Sequence, residues 1–158
     1  METIKKTLET HQGARITDID LRRRDILRQT DYALEEVIGK AFSELERRGK
    51  YLDFVLEDGR HLIMHMGMSG RVFQVENESW AEEPHMHMIL HLDNGFRLVY
   101  QDARRFGGVW LVCDAAGFFA RLGVEPLNSA FNADYLARAA ENRKTAIKSL
   151  LLDQRIIA

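Results

Sequence analysis

The chain has 158 residues, of which 46% are hydrophobic and 29% charged, and a formal net charge of −2. That length fits one domain, or one domain and part of a second, and is enough for a sizeable core. The charge balance excludes a generally basic protein, the single cysteine excludes an intrachain disulfide or cysteine zinc finger, and no apolar run nears the ~20 residues that span a bilayer.

Residues Glu2 to about His11 read as a short helix, with Ile4 and Leu8 four apart, and Gly13 ends it. Ala14 to Leu21 alternates like a strand, with a phase slip near Asp18-Ile19 that suggests a bulge. Thr30 or Asp31 is placed to cap a helix over Tyr32 to Ile38, stopped by Gly39. The pattern then turns to β. Strands are expected over Phe42–Arg48, Tyr51–Leu56, His61–Met66, Arg71–Val75, His85–Leu92, Phe96–Tyr100 and Val109–Cys113. Turns fall at Gly49-Lys50, Glu57-Asp58-Gly59 and Asp93-Asn94-Gly95, and Glu76 to Pro84 reads as a flexible polar connection. Cys113 falls in an apolar run, which reads as a buried, inert thiol. Short helices follow at Ala115–Leu122, Asn132–Glu141 and Thr145–Leu152, with a linker over Gly123–Leu127. Repeated short strands with regular turns argue for a sandwich or barrel. No signal-peptide core opens the chain, so a cytoplasmic protein is expected.

Positive charge is clustered at Lys5-Lys6, Arg22-Arg23-Arg24, Arg47-Arg48 with Lys50, and Arg104-Arg105, a pattern that suits gripping a polyanion along one face or plain solvated surface. The stretch Gln101 to Gly108 puts two arginines and Phe106 between two strand-like runs. Arginine forks bind phosphates and base edges, and an aromatic between them can wedge into a base stack. A solvated hairpin tip with Phe106 folded inward fits the same stretch. Met68, in Gly67-Met68-Ser69-Gly70, is not placed for core packing; an apolar side chain at a loop tip meets a partner or wedges between bases. Lys50 is held at a strand start, where a snorkelling surface lysine is the plain alternative. Five histidines, His61, His65, His85, His87 and His91, could line a metal site on a barrel, but the glutamate that a cupin-like site wants after His-x-His is missing. From the residues alone, the chain is a β-rich domain with basic and apolar loop tips that suit nucleic acid.

Several motifs, in order, resemble the formamidopyrimidine-DNA glycosylase / endonuclease VIII family. They are Arg47-Arg48-Gly49-Lys50-Tyr51-Leu52, His65-Met66-Gly67-Met68-Ser69-Gly70, Asp102-Ala103-Arg104-Arg105-Phe106-Gly107, Leu122-Gly123-Val124-Glu125-Pro126-Leu127, and Lys144-Thr145-Ala146-Ile147-Lys148 running into Leu151–Arg155. The resemblance covers essentially the whole chain and is closer to the formamidopyrimidine branch. It implies an α+β, mainly β fold: a two-sheet antiparallel β-sandwich flanked by helices over residues 1–125. The first helices of a helix-two-turn-helix DNA-binding module would follow over 126–158. It also implies roles. Met68, Arg104 and Phe106 match the side chains that fill the hole left by a flipped nucleotide. Lys50 matches a phosphate-gripping lysine, His85 or His87 a phosphate-contacting histidine, and Lys148 a lysine of the helical module. The implied partner is damaged double-stranded DNA. The implied reaction is removal of oxidised purines (formamidopyrimidine, 8-oxoguanine), with nicking of the abasic site through a Schiff base.

The chain also departs from the family. There the mature chain opens on a proline, whose amine attacks the sugar C1′, beside a proton-handling glutamate. Here Met1-Glu2-Thr3-Ile4 matches the helix about six residues later, displaced by roughly 9 Å along a regular helix. The expectation is therefore no catalytic residue and no activity within these 158 residues. The family's Gly-rich turn, later helices and zinc finger have no counterpart here, so no metal or other cofactor is expected in this chain. Ala103, Val124, Pro84 and Met86 are smaller departures. Leu150-Leu151-Leu152 and Ile156-Ile157 form an apolar tail that a second copy would cover, which suggests a dimer through the C-terminal helices. Two other readings stay open: a complete non-catalytic DNA-binding or regulatory module, and a His-rich β-barrel metalloprotein.

Overall fold

A computed structural model describes residues 1–158. Helix α1 (Glu2–Leu8) runs into one 3-10 turn, and Gly13, at φ +86°, turns the chain into β1 (Ile16–Leu21). The strands that follow are β2 (Leu27–Thr30), β3 (Phe42–Arg48), β4 (Tyr51–Leu56), β5 (His61–His65), β6 (Gly70–Glu76), β7 (Met86–Leu92), β8 (Phe96–Asp102) and β9 (Gly108–Val112). They form a two-sheet sandwich, with a four-stranded sheet ordered β1-β7-β8-β6 and a five-stranded sheet ordered β2-β9-β5-β4-β3. Every pair is antiparallel except β2 with β9.

Period-two alternation builds the core between the sheets. Leu52, Phe54 and Leu56 of β4, Leu62 and Met64 of β5, and Val109 and Leu111 of β9 face Met88, Leu90, Leu98 and Tyr100 of the other sheet. Phe42 and Phe54 meet edge to face at 5.5 Å, and Leu8 of α1 closes one side at 1% exposure. The slip expected near Asp18 is present: β1 shifts register against β7 between Ile16 and Asp18.

Other expectations give way. No helix spans Tyr32–Ile38; only a 3-10 turn, Leu34–Val37, forms there. The capping acid is otherwise engaged, since Asp31 accepts from the Cys113 amide (3.1 Å) and from Gln29. Tyr32 turns inward to donate its hydroxyl to the His61 carbonyl at 2.8 Å. Cys113 lies just beyond β9 and is exposed, so the apolar strand ends one residue short of it. The stretch Glu76–Pro84 is tied down. Trp80 packs with Phe73 and Val75 against Met86, Ile89 and Val99, a small second core on the outer face of the four-stranded sheet, and the Arg97 guanidinium stacks 4.7 Å from the Trp80 ring.

The chain divides into two compact units, Met1–Ala115 and Ala116–Ala158. The second contains α3 (Ala133–Ala140), capped by Asn132 through the Tyr135 amide, and α4 (Ile147–Leu151) after the short α2 (Ala115–Phe119). Its tail folds back, with Ile157 bridging Val124 and the Ile156 carbonyl accepting from the Tyr135 hydroxyl at 2.7 Å. No helix is long and apolar enough to cross a membrane.

Phe54 is fully buried between the sheets. Phe54→Ala is expected to lower stability by about 3–5 kcal/mol, read as a lower urea midpoint at unchanged slope. A shift under about 1 kcal/mol would mean the core is not built around this ring.

Candidate nucleic-acid interface

Consecutive strands usually pair, yet β5 and β6 lie in different sheets, and so do β8 and β9. The two connections, Met66–Ser69 and Ala103–Gly107, therefore cross from sheet to sheet, and the Arg104-Arg105-Phe106 stretch is not a hairpin tip. Both crossings meet at one place. A Cβ on Gly67 (φ +54°) would stand 2.5 Å from the Gly107 nitrogen, and one on Gly107 would stand 2.1 Å from the His65 carbonyl oxygen, so only glycine lets the loops touch. The loop tips point outward instead of into the core. Met68 is 68% exposed and Phe106 61%.

Asp102, the last residue of β8, holds this arrangement from beneath. Its side chain is fully buried. Ser69 Oγ donates to Oδ1 at 2.5 Å, the Arg104 amide reaches Oδ1 at 3.3 Å and Ser69 Oγ at 3.2 Å, and the Gly107 amide reaches Oδ2 at 2.9 Å. Burial pushes the carboxyl up, but the Ser69 hydroxyl and the Gly107, Arg104 and Arg105 amides outweigh it and hold it below the usual carboxylate range. On the far side Arg28 donates Nη2 to the carbonyls of Arg105 (2.8 Å) and Gly107 (3.0 Å). Arg105, in the left-handed region at φ +54°, turns its guanidinium to Asp25 at 2.7 Å. Arg104 has no carboxylate partner and lies 5.3 Å from the Phe106 ring.

Lys50 is exposed at the β3–β4 turn, and its carbonyl accepts the Met66 amide (3.2 Å), which sets it beside the root of the Met68 loop. His85 is exposed, with φ +68°, and its carbonyl accepts the Asp102 amide at 3.1 Å. Lys50, Met68, His85, Arg104 and Phe106 are thus linked through neighbouring backbone at one end of the sandwich. His87 is not at that surface. It is 7% exposed, and Nε2 donates to the Asp102 carbonyl at 2.8 Å, because the β7 register shifts between Met86 and Met88 and turns the ring inward. Lys148 sits in α4 of the second unit, exposed.

The other histidines are scattered. His61 Nδ1 pairs with the buried Asp53 at 3.0 Å, His65 stacks 4.3 Å from Tyr51, and His91 accepts from Arg97. No three His, Cys, Asp or Glu side chains converge as a metal site would need. Most of the basic clusters are also committed: Arg22 to Asp20 and Glu82, Arg23 to Asp25, Arg47 to Glu2. Sequence reasoning passed over Asp102, Ser69 and Arg28. The sequence signal available for Asp102 was a weak one, an aspartate able to accept from the amide two residues on as in an Asx turn; nothing local pointed to Arg28.

Because the folded Asp102 carboxyl titrates below its 3.8 reference, its stabilising contribution is complete above about pH 5 and is lost as pH falls through the reference and then the folded value. Asp102→Asn leaves one acceptor for three donors and is expected to cost about 1–3 kcal/mol near neutral pH. The gap in urea midpoint to the parent should narrow as pH drops from about 5 toward 2. A gap constant over that range would show that the carboxylate charge is not what holds the loops.

The description "Formamidopyrimidine-DNA glycosylase N-terminal domain" belongs to the family model that matches residues 1–109. The formamidopyrimidine-DNA glycosylase of Syntrophomonas wolfei subsp. wolfei is 50% identical over 158 residues, which is 100% of this chain and 59% of that protein. The namesake from Desulforamulus reducens is 39% identical over 166 residues, covering 60% of its length. Among solved structures, Lactococcus lactis Fpg (MutM) in complex with Fapy-dG-containing DNA superposes with a TM-score of 0.88 at 27% identity, covering 99% of this chain and 61% of that one. The same enzyme bound non-covalently to DNA with an AP site gives 0.87 at 26% identity, covering 99% and 62%. The chain thus spans about 59–60% of the length of these curated relatives. By family match, by identity along its whole length and by fold, the chain belongs to the formamidopyrimidine-DNA glycosylase family and carries its N-terminal domain.

Proposed function

We propose that residues 1–158 are the lesion-recognising part of a base-excision DNA glycosylase and AP lyase that removes oxidised purines from double-stranded DNA. The observation that carries this is the pair of abutting crossings with Met68 and Phe106 exposed at their tips. Extruding a base costs a few kcal/mol, and a thioether and a ring entering the vacated stack offset part of it. Arg104, free of carboxylates, faces the orphaned base. Lys50 and His85 grip phosphates beside the lesion, while His87 acts from beneath by holding Asp102. Residues 1–125 are the sandwich domain of this reading, and 126–158 open a helical module in which Lys148 meets the backbone.

The residues present do not supply the nucleophile. The only prolines are Pro84 and Pro126, neither followed by glutamate, and no cysteine set for a zinc finger occurs. The 158-residue polypeptide by itself is therefore a binder without excision activity, and needs no metal.

Binding to a duplex with one abasic site, compared with the intact duplex, tests the reading. Phe106→Ala and Met68→Ala are each expected to lower the preference for the abasic duplex about tenfold, as loss of one base stack would. Lys50→Ala should weaken both duplexes alike and reduce the salt slope by about 1. A parent chain with no preference for the abasic duplex would sink the proposal. Borohydride reduction with abasic DNA should leave no strong covalent adduct; one through Met1 would overturn the claim of inactivity.

A further inference from the structure

The two probing loops belong to different crossings, yet they share one buried anion. Ser69, next to Met68, gives its hydroxyl to Asp102 Oδ1, and the Arg104 amide of the other loop reaches both Ser69 Oγ (3.2 Å) and that same Oδ1 (3.3 Å). The remaining oxygen takes the Gly107 amide at 2.9 Å, directly after Phe106. Below, the Asp102 carbonyl is held by His87 Nε2 at 2.8 Å and its amide by the His85 carbonyl at 3.1 Å. A carbonyl can only accept, so His87 carries its proton on Nε2 and has that nitrogen committed. The backbones of Gly67 and Gly107 pack so closely that a Cβ on Gly67 would stand 2.5 Å from the Gly107 nitrogen, so neither loop can move toward the other without clashing.

We propose that Asp102 and Ser69 are positioning residues that join the Met68 and Arg104–Phe106 loops into a single wedge, so that lesion recognition is concerted: the side chains enter a vacated base stack together or not at all. The wedge has one degree of freedom where two independent loops would have two, and it meets DNA with its ordering cost already met in the free protein. Neither Asp102 nor Ser69 touches the DNA in this account. Both act through the loops, and the account rests on the void-filling role proposed above.

The test uses the parent chain, Ser69→Ala, Asp102→Asn and the double variant, with two readouts. The first is amide hydrogen exchange without DNA. Loss of the Ser69 hydroxyl, in one loop, is expected to speed exchange of the Arg104 amide, in the other, by about tenfold, with core amides of β4 and β5 unchanged. The second is the affinity ratio between a duplex with a tetrahydrofuran abasic site and its intact counterpart. Ser69→Ala should lower the ratio about tenfold while affinity for the intact duplex stays within about twofold, and the double variant should lose no more than Asp102→Asn does alone. Additive losses, or an Arg104 amide indifferent to Ser69→Ala, would overturn the coupling. A parent chain without abasic preference would instead remove the void-filling reading, and the exchange arm would still decide whether the loops are joined. Ser69→Ala leaves the carboxylate in place, so the outcome stands even if Asp102→Asn does not fold.

Discussion

A buried carboxylate with three donors converging on it is the interaction on which this end of the molecule depends. Strands in a sandwich satisfy their backbone groups by pairing, but a chain that leaves one sheet for the other gives up its ladder at the crossing. Here two crossings occur side by side, and Asp102 supplies acceptors for the amides that the ladder no longer serves. The consequence is mechanical. Exposed thioether and aromatic side chains tend to fold onto the nearest apolar surface, whereas loops fixed at their roots can hold Met68 and Phe106 out in water. The cost of that exposure is carried by the core below, where both sheets interdigitate at full burial.

Charge is distributed with the same economy. Adjacent arginines, chemically identical, have separate tasks because of backbone geometry. A left-handed residue at Arg105 sends its guanidinium back to Asp25, while Arg28 takes the carbonyls of Arg105 and Gly107. Arg104 is left to the surface beside Phe106. A chain with net charge −2 thus presents two cations without a carboxylate partner, Lys50 and Arg104, near one end of the sandwich, while Arg22, Arg23 and Arg47 are each paired with nearby acids.

Strands with clean alternation were legible from residues alone: Leu52, Phe54 and Leu56 against Leu62 and Met64, joined at Glu57-Asp58-Gly59, come out as β4 and β5. So was the Gly67-Met68-Ser69-Gly70 tip, whose small neighbours leave Met68 no local core; at Phe106 the residues allowed an exposed ring or one folded inward, and the ring is 61% exposed. What failed was what depends on distant partners. β2, Leu-Arg-Gln-Thr, has no apolar period and exists only because β9 accepts it in parallel. That β8 and β9 belong to different sheets is decided by β5 and β7, their neighbours in space, and sequence adjacency suggested a hairpin instead. The resemblance matched His87 as readily as His85 to a phosphate contact, but a bulge inverts the alternation around His87 and leaves it buried. Asp102 looked like an ordinary acid at a strand end until the amides above it were in place.

The central claim is that the crossing tips enter a vacated base stack. The most direct measurement is the NMR position of the Met68 methyl group in chain labelled at methionine methyls, assigned by Met68→Leu, during titration with abasic and intact duplexes. Insertion between bases predicts a large upfield ring-current shift with the abasic duplex and little change with the intact one. A Met68 methyl that stays put at saturating abasic duplex would contradict the account.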